Sequence, residues 1–320
     1  MKYPYICLMR FLENMKKIQS LSLLKKKTLL LLVILFLYLK PFTVSAQIVS
    51  NTEIGLMVGS SYYLGDINSS HFDYMMPSGG LVVRKNIDRR IVVKAEGLIG
   101  YIRGDDARNT NDPSLLSRNL HFRSPIYELS GQIEFNFLPY ETGNSLYPFT
   151  PFVFTGVSLF RFNPQAEAND GEWVDLQPLG TEGQGTTTFP ERTKYPLTQF
   201  SIPMGGGFKI AVNKTFNIII EYGIRKTFTD YLDDVSTTYP GQNPVDEHGY
   251  SDISDLAVEM SDKNIDVLNP NGDPYPQLNS NWVSRKSNTQ RGNSKNKDWY
   301  TFTGITLSFK LLSETTKCNY

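Results

Sequence analysis

Side chains along much of this sequence change character at every second residue, and that rhythm dictates the fold class. From Trp299 to Leu311 one face carries Trp299, Thr301, Thr303, Ile305, Leu307, Phe309 and Leu311. The other face carries Tyr300, Phe302, Gly304, Thr306, Ser308 and Lys310. Phe216 to Arg225 behaves likewise, setting Phe216, Ile218, Ile220, Tyr222 and Ile224 against Asn217, Ile219, Glu221, Gly223 and Arg225. Between Tyr127 and Phe137 the apolar face is Tyr127, Leu129, Ile133, Phe135 and Phe137, and the opposite face is Glu128, Ser130, Gln132, Glu134 and Asn136. A period of two is the signature of a β-strand with unlike environments on its two sides.

Weaker copies of the pattern bring the expected strands to eight: 52–63, 76–86, 90–103, 121–137, 148–163, 197–212, 215–229 and 298–311. Their connections alternate in length. Those near 87–89, 138–147 and 213–214 are short or moderate, whereas 64–75, 104–120, 164–196 and 230–297 are long. Strands of this length, even in number and with loops sorted by parity, predict an eight-stranded antiparallel transmembrane β-barrel of the outer-membrane type. The mean hydropathy of −0.30 agrees, because only alternate residues of such strands meet lipid. Aromatic residues make up 12% of the chain, almost all Tyr and Phe, which suits strands and interfacial girdles. A short helix from Ser254 to Ser261, capped by Ser251 or Ser254, is expected inside the last loop.

The first 46 residues read as a cleaved signal peptide. Lys16, Lys17, Lys25, Lys26 and Lys27 precede the apolar run Leu29 to Leu39, and Val44-Ser45-Ala46 precedes Gln47. An apolar run of that length spans only about 16 Å as a helix, short of the ~30 Å hydrocarbon core. The mature barrel is expected over 47–320, with a tail over 313–320. Once Cys7 leaves with the leader, only Cys318 remains. It is a candidate for contact with a partner or an intermolecular disulfide.

On the polar faces both signs of charge occur: Lys94, Lys209 and Arg225 against Glu96, Glu128, Glu134 and Glu221. An eight-stranded barrel is just wide enough for its own side chains, so these residues are expected to pair and fill the lumen, not to line a pore. Facing lipid, each would cost roughly 2–4 kcal/mol at the midplane.

The chain carries 32 basic and 32 acidic residues, which argues against nucleic acid as a partner. His71, His121 and His248 lack metal-ligand spacing, and no GxSxG or phosphate loop is present. Gly205-Gly206-Gly207 lies within a strand and is read as close packing of the barrel wall. No cofactor and no catalysis are expected. Asp230, Asp233, Asp234, Asp246, Glu247, Asp252 and Asp255 could suggest calcium, but their spacing is not that of an EF-hand. A solvated outer loop is the expectation.

Longer motifs carry a family resemblance: SYYLGD (61–66), SPIYELSGQIEFNF (124–137), YPFTPFVFTGVSLFRFNP (147–164), FTDYLDDVSTTY (228–239) and RGNSKNKDWYTFTGITLSF (291–309). Together they resemble the DUF6089 family of the Bacteroidetes, which includes the PorG-like outer-membrane component of the type IX secretion system. The resemblance implies an integral outer-membrane barrel without catalytic residues. It would associate with periplasmic ring proteins of the PorK/GldK and PorN/GldN type in protein secretion and gliding motility. An alternative is an outer-membrane ligand-binding protein or adhesin acting through loops 164–196 and 230–297, with Trp173 and Trp282 as contact aromatics.

Overall fold

The computed structural model describes residues 51–108, 112–240, 252–263 and 290–311. The leader, Cys318 with the tail 313–320, and His248, Asp246, Glu247 and Trp282 lie outside them.

Eight long strands form the wall: β1 (Asn51–Leu64), β2 (Met76–Asn86), β3 (Ile91–Asp105), β4 (His121–Asn136), β5 (Phe149–Phe162), β8 (Thr198–Ala211), β9 (Phe216–Thr227) and β10 (Trp299–Lys310). Each falls within two residues of its expected ends. They pair antiparallel in the order β3-β2-β1-β10-β9-β8-β5-β4, and a further β3–β4 ladder returns to the start. The sheet therefore closes on itself into an eight-stranded barrel.

A hairpin of β6 (Gln165–Glu167) and β7 (Trp173–Asp175), unexpected from the sequence, extends this sheet beyond β4 through Arg123 and Gln165. A short helix α1 (Pro113–Arg118) follows Asp112, whose side chain accepts the Ser114 N–H, and Pro113 stands in its first turn. Helix α2 (Asp255–Ser261) is capped by Ser254.

The barrel is inside-out relative to a soluble protein. Outward positions are apolar: Leu81, Leu129, Val157 and Phe200 are each more than 60% exposed. Inward, Lys94 and Arg225 are fully buried. Towards the rim of short turns the outer face carries Phe149 stacked on Phe208 at 5.9 Å and Phe216 against Phe309 at 5.0 Å. Towards the opposite rim it carries exposed Tyr101 and Tyr127 and a hydrogen-bonded Tyr62–Tyr222 pair. Trp299 lies ten residues from Phe309; at 3.3 Å per residue and a tilt near 40°, that spans about 25 Å, the height of a lipid-facing band between aromatic girdles. A wall with this exterior is stable in a bilayer and not in water. The chain is an outer-membrane β-barrel protein.

Both ends of the wall, Glu53 and Lys310, pair at the short-turn rim. The four long connections all emerge at the other.

Candidate functional site

All seven charged residues singled out in the sequence point into the lumen. Glu134 is the hub of its lower half. Arg84 Nε lies 3.1 Å from Glu134 Oε1, Lys94 Nζ lies 3.6 Å from the same atom, and Lys209 donates to Glu134 Oε2. Glu221 accepts from Lys94 at 2.7 Å and from Arg84 at 3.1 Å. Lys94 also lies 3.2 Å from Glu96. In the upper half Arg225 Nε and Nη2 donate to both oxygens of Glu128 at 3.1–3.3 Å, and Nη2 reaches Glu96 at 3.1 Å. The Tyr300 hydroxyl donates to Glu128 at 2.6 Å.

Four cations thus meet five carboxylates once Glu53 is included, and each buried charge has a polar partner. Charges inside a low-dielectric cylinder require this pairing. Gly205 and Gly223 are register partners in the wall beside the network. A Cβ on Gly223 would sit 2.5 Å from the Arg225 guanidinium and 2.8 Å from the Phe154 ring, so the missing side chains give both groups their space.

Arg84 and Glu53 were not singled out from the sequence. Arg84 lies between outward Val83 and Lys85 on a strand that carries Gly79-Gly80 in its first half, where alternation is faint. Its inward parity follows only once Leu81 and Val83 are assigned to lipid.

Above the salt network comes an apolar layer. Phe122, Ile126, Phe160, Phe162 and Phe302 from the wall pack with Ile67, Tyr195, Leu232 and Val235 from the long loops. Tyr195 stacks on Tyr231 at 4.6 Å and on Phe162 at 6.1 Å. The loops therefore reach down into the barrel mouth and close it.

Over this plug sits a polar cap to which all four long connections contribute. The Arg118 guanidinium grips Asp106 at 2.6 and 2.7 Å, and donates to the Asp66 carbonyl at 2.8 Å and the Arg291 carbonyl at 3.0 Å. Fully buried Glu182 accepts from the Ser236 and Thr237 backbone N–H groups, the Thr237 and Tyr231 hydroxyls, and Arg291 Nη1 at 3.1 Å. Asp234 accepts from Tyr195 at 2.6 Å and from Thr181. Tyr63 lies between Asp233 and Asp298.

This corrects the expectation of a solvated acidic loop. Asp230, Asp233 and Asp234 are buried; of the acidic residues named for this loop and described, Asp252 and Asp255 are not, the former accepting from Thr187 and Thr188. Burial pushes Asp230 up to about 7 and Asp234 up to about 6. It drives Asp233 and Asp298 well above the usual carboxylate range, with neighbouring aspartates adding to the effect. Among the described residues no cluster of His, Cys, Asp and Glu has metal-binding geometry. His71 and His121 are apart, the former near Tyr62 and the latter beside Trp173. Trp173 lies under Arg123, 3.7 Å from its guanidinium carbon.

Residues 27–179 match a family described as a domain of unknown function, DUF6089. No curated protein matches the chain in sequence. Among solved structures the chain is similar to Ail, the attachment invasion locus protein of Yersinia pestis, in a complex with the heparin analogue sucrose octasulfate. That TM-score is 0.36 with 8% identity over 82% of this chain and 99% of that one. Neisserial surface protein A gives a TM-score of 0.36 with 9% identity, over 81% and 97% of the two chains. The N-terminal β-barrel domain of Pseudomonas aeruginosa OprF gives 0.30 with 8% identity, over 82% and 99%.

Proposed function

We propose that this chain, whose residues 27–179 match the DUF6089 family, is a non-enzymatic outer-membrane component of the type IX protein secretion and gliding machinery. In this reading it anchors or organises the periplasmic ring of PorK/GldK-type lipoproteins and PorN/GldN-type subunits. The observation that carries it is the filled lumen under a folded cap. Lys94, Glu134, Arg225 and Glu128 occupy the space a solute would need, and Tyr195, Leu232 and Val235 close the mouth. A sealed cylinder serves as a fixed post in the membrane, not as a conduit.

The export leader 1–46 is removed on this reading, and the short-turn rim faces the periplasm. Lys310 lies at that rim, paired with Glu53 and donating its N–H to the Thr215 carbonyl, so on this reading the segment carrying Cys318 sets out on the periplasmic side.

The test is affinity purification of the tagged chain from cross-linked envelopes, alongside Cys318→Ser. Ring proteins should co-purify, and a Cys318-dependent band on non-reducing gels would identify the tail as the contact. An intact barrel that brings down no ring protein, in cells whose secretion survives its deletion, overturns the proposal.

The cap favours a second reading, a ligand-binding protein or adhesin. It is a built surface with a recess of about 410 Å³ lined by Asn119, His121, Glu167, Glu259, Asp262 and Lys263. Removing 264–289 separates the two: lost surface binding with normal secretion supports the adhesin.

A further inference from the structure

We propose that the outer wall at β3–β4–β5 holds an acyl chain of a phosphorylated glycolipid of the outer leaflet, whose phosphate meets Arg161. This rests on the outer-membrane reading with the long loops outside. A trough of about 450 Å³ runs along the lipid face there, lined by Gly97, Ile99, Tyr127, Leu129, Leu159 and Arg161. It exists because the wall is dented. A Cβ added at Gly97, or at Gly131 on the neighbouring strand, would meet nothing within 4 Å. An open apolar trough parallel to exposed Leu129 and Leu159 suits a hydrocarbon chain, not a compact polar solute.

The charge at its head identifies the lipid. Arg161 is the register partner of Tyr127, and exposed Tyr101 and Tyr127 mark the level of the membrane interface. Among the described residues Arg161 has no hydrogen-bond or ion-pair partner.

Above it Arg103 and Arg123 stand directly opposite one another in the β3–β4 ladder, both on the outer face. Like charges in that relation repel. Asp105, 3.6 Å from Arg103, offsets one of them, and Asp175, held by the Asn163 and Gln165 amides, offsets a second, which leaves the three guanidiniums of Arg103, Arg123 and Arg161 facing two carboxylates. The patch therefore keeps an excess of guanidinium at the depth where headgroup phosphates lie. Guanidinium binds phosphate through paired N–H donors. A zwitterionic headgroup would bring its own ammonium and leave the excess standing, whereas bisphosphorylated lipid A cancels it.

The test is native mass spectrometry of the detergent-purified full chain offered bisphosphorylated lipid A, its dephosphorylated form or phosphatidylethanolamine. Wild type should retain one phosphorylated molecule about tenfold more than either alternative. Arg161→Gln should abolish that preference, and Gly97→Leu should fill the trough and lower retention of all three. Lys214→Gln, at the other rim, serves as the unaffected control. Folding of each variant is checked by the heat-dependent gel shift of the barrel, and Leu159→Trp replaces Gly97→Leu if the latter does not fold. Equal retention of phosphorylated and dephosphorylated lipid, or like behaviour of Arg161→Gln and Lys214→Gln, overturns the inference. Both outcomes leave the barrel reading intact; that reading fails separately, if the chain stays monodisperse without detergent.

Discussion

Arg225→Met isolates the energetics of the lumen. The guanidinium makes three hydrogen bonds to Glu128, one to Glu96 and one to the Gly223 carbonyl at 2.8 Å, with its carbon 4.9 Å from the Phe302 ring centre. Methionine keeps much of the volume and none of the charge. Glu96 retains Lys94 at 3.2 Å, but Glu128 is left with the Tyr300 hydroxyl alone. Stranding one buried carboxylate costs about 3–5 kcal/mol. With a slope of about 2 kcal/mol per molar urea, that lowers the unfolding midpoint in micelles by about 2 M. The double variant Arg225→Met/Glu128→Gln removes the stranded charge and should recover about 1–3 kcal/mol, the coupling expected of contacting residues. Tryptophan fluorescence from Trp299 on the wall and Trp173 on the cap reports both regions. A midpoint shift below about 0.3 M for the single variant, or a double variant worse than the sum of its parts, would refute the argument that pairing, and not shape, holds the lumen together.

Two further outcomes follow from the cap. Asp230, Asp233, Asp234 and Asp298 have folded-state affinities for protons raised above those of the unfolded chain, so the folded cap binds more protons than the open one at neutral pH. Its stability should rise as pH falls from about 8 to about 5, read by near-UV circular dichroism of the stacked tyrosines during denaturation; a cap that loosens over that interval contradicts the assignment. Glu182→Gln keeps the shape but removes the charge that faces Arg291 and gathers two backbone N–H groups. It should cost about 1.5–3 kcal/mol and speed proteolytic cutting in 163–197 and 228–240 while leaving the wall resistant, and unchanged cleavage would show that the cap does not depend on it.

The wall was legible because lipid and lumen act on every strand at every residue. Trp299 to Leu311 can satisfy both only by alternating, so local sequence carries the signal. The lumen residues followed by parity, except Glu53, near the start of its strand, and Arg84, whose strand places Gly79 and Gly80 where the contrast between faces would show. Nothing comparable marks the cap. Glu182 meets Arg291 across more than a hundred residues, and Arg118 joins three loops at once. Asp230, Asp233 and Asp234 look solvated in a stretch without periodicity; their burial depends on tyrosines and threonines brought from elsewhere. Helix α1 had a readable start in Asp112-Pro113, but six residues leave no apolar stripe to notice.

The ladder between β1 and β10 joins the two extremes of the wall, Glu53 to Lys310. A seam of that kind can be zipped only after the whole chain has crossed the inner membrane, since its second lip is made last. Loss of β10 would not leave seven-eighths of a cylinder. It would leave a curled sheet with two raw edges, Val58 and Ile220 beside bare amides, unable to rest in hydrocarbon. Truncations anywhere before Trp299 should therefore be equally fatal, however little they remove.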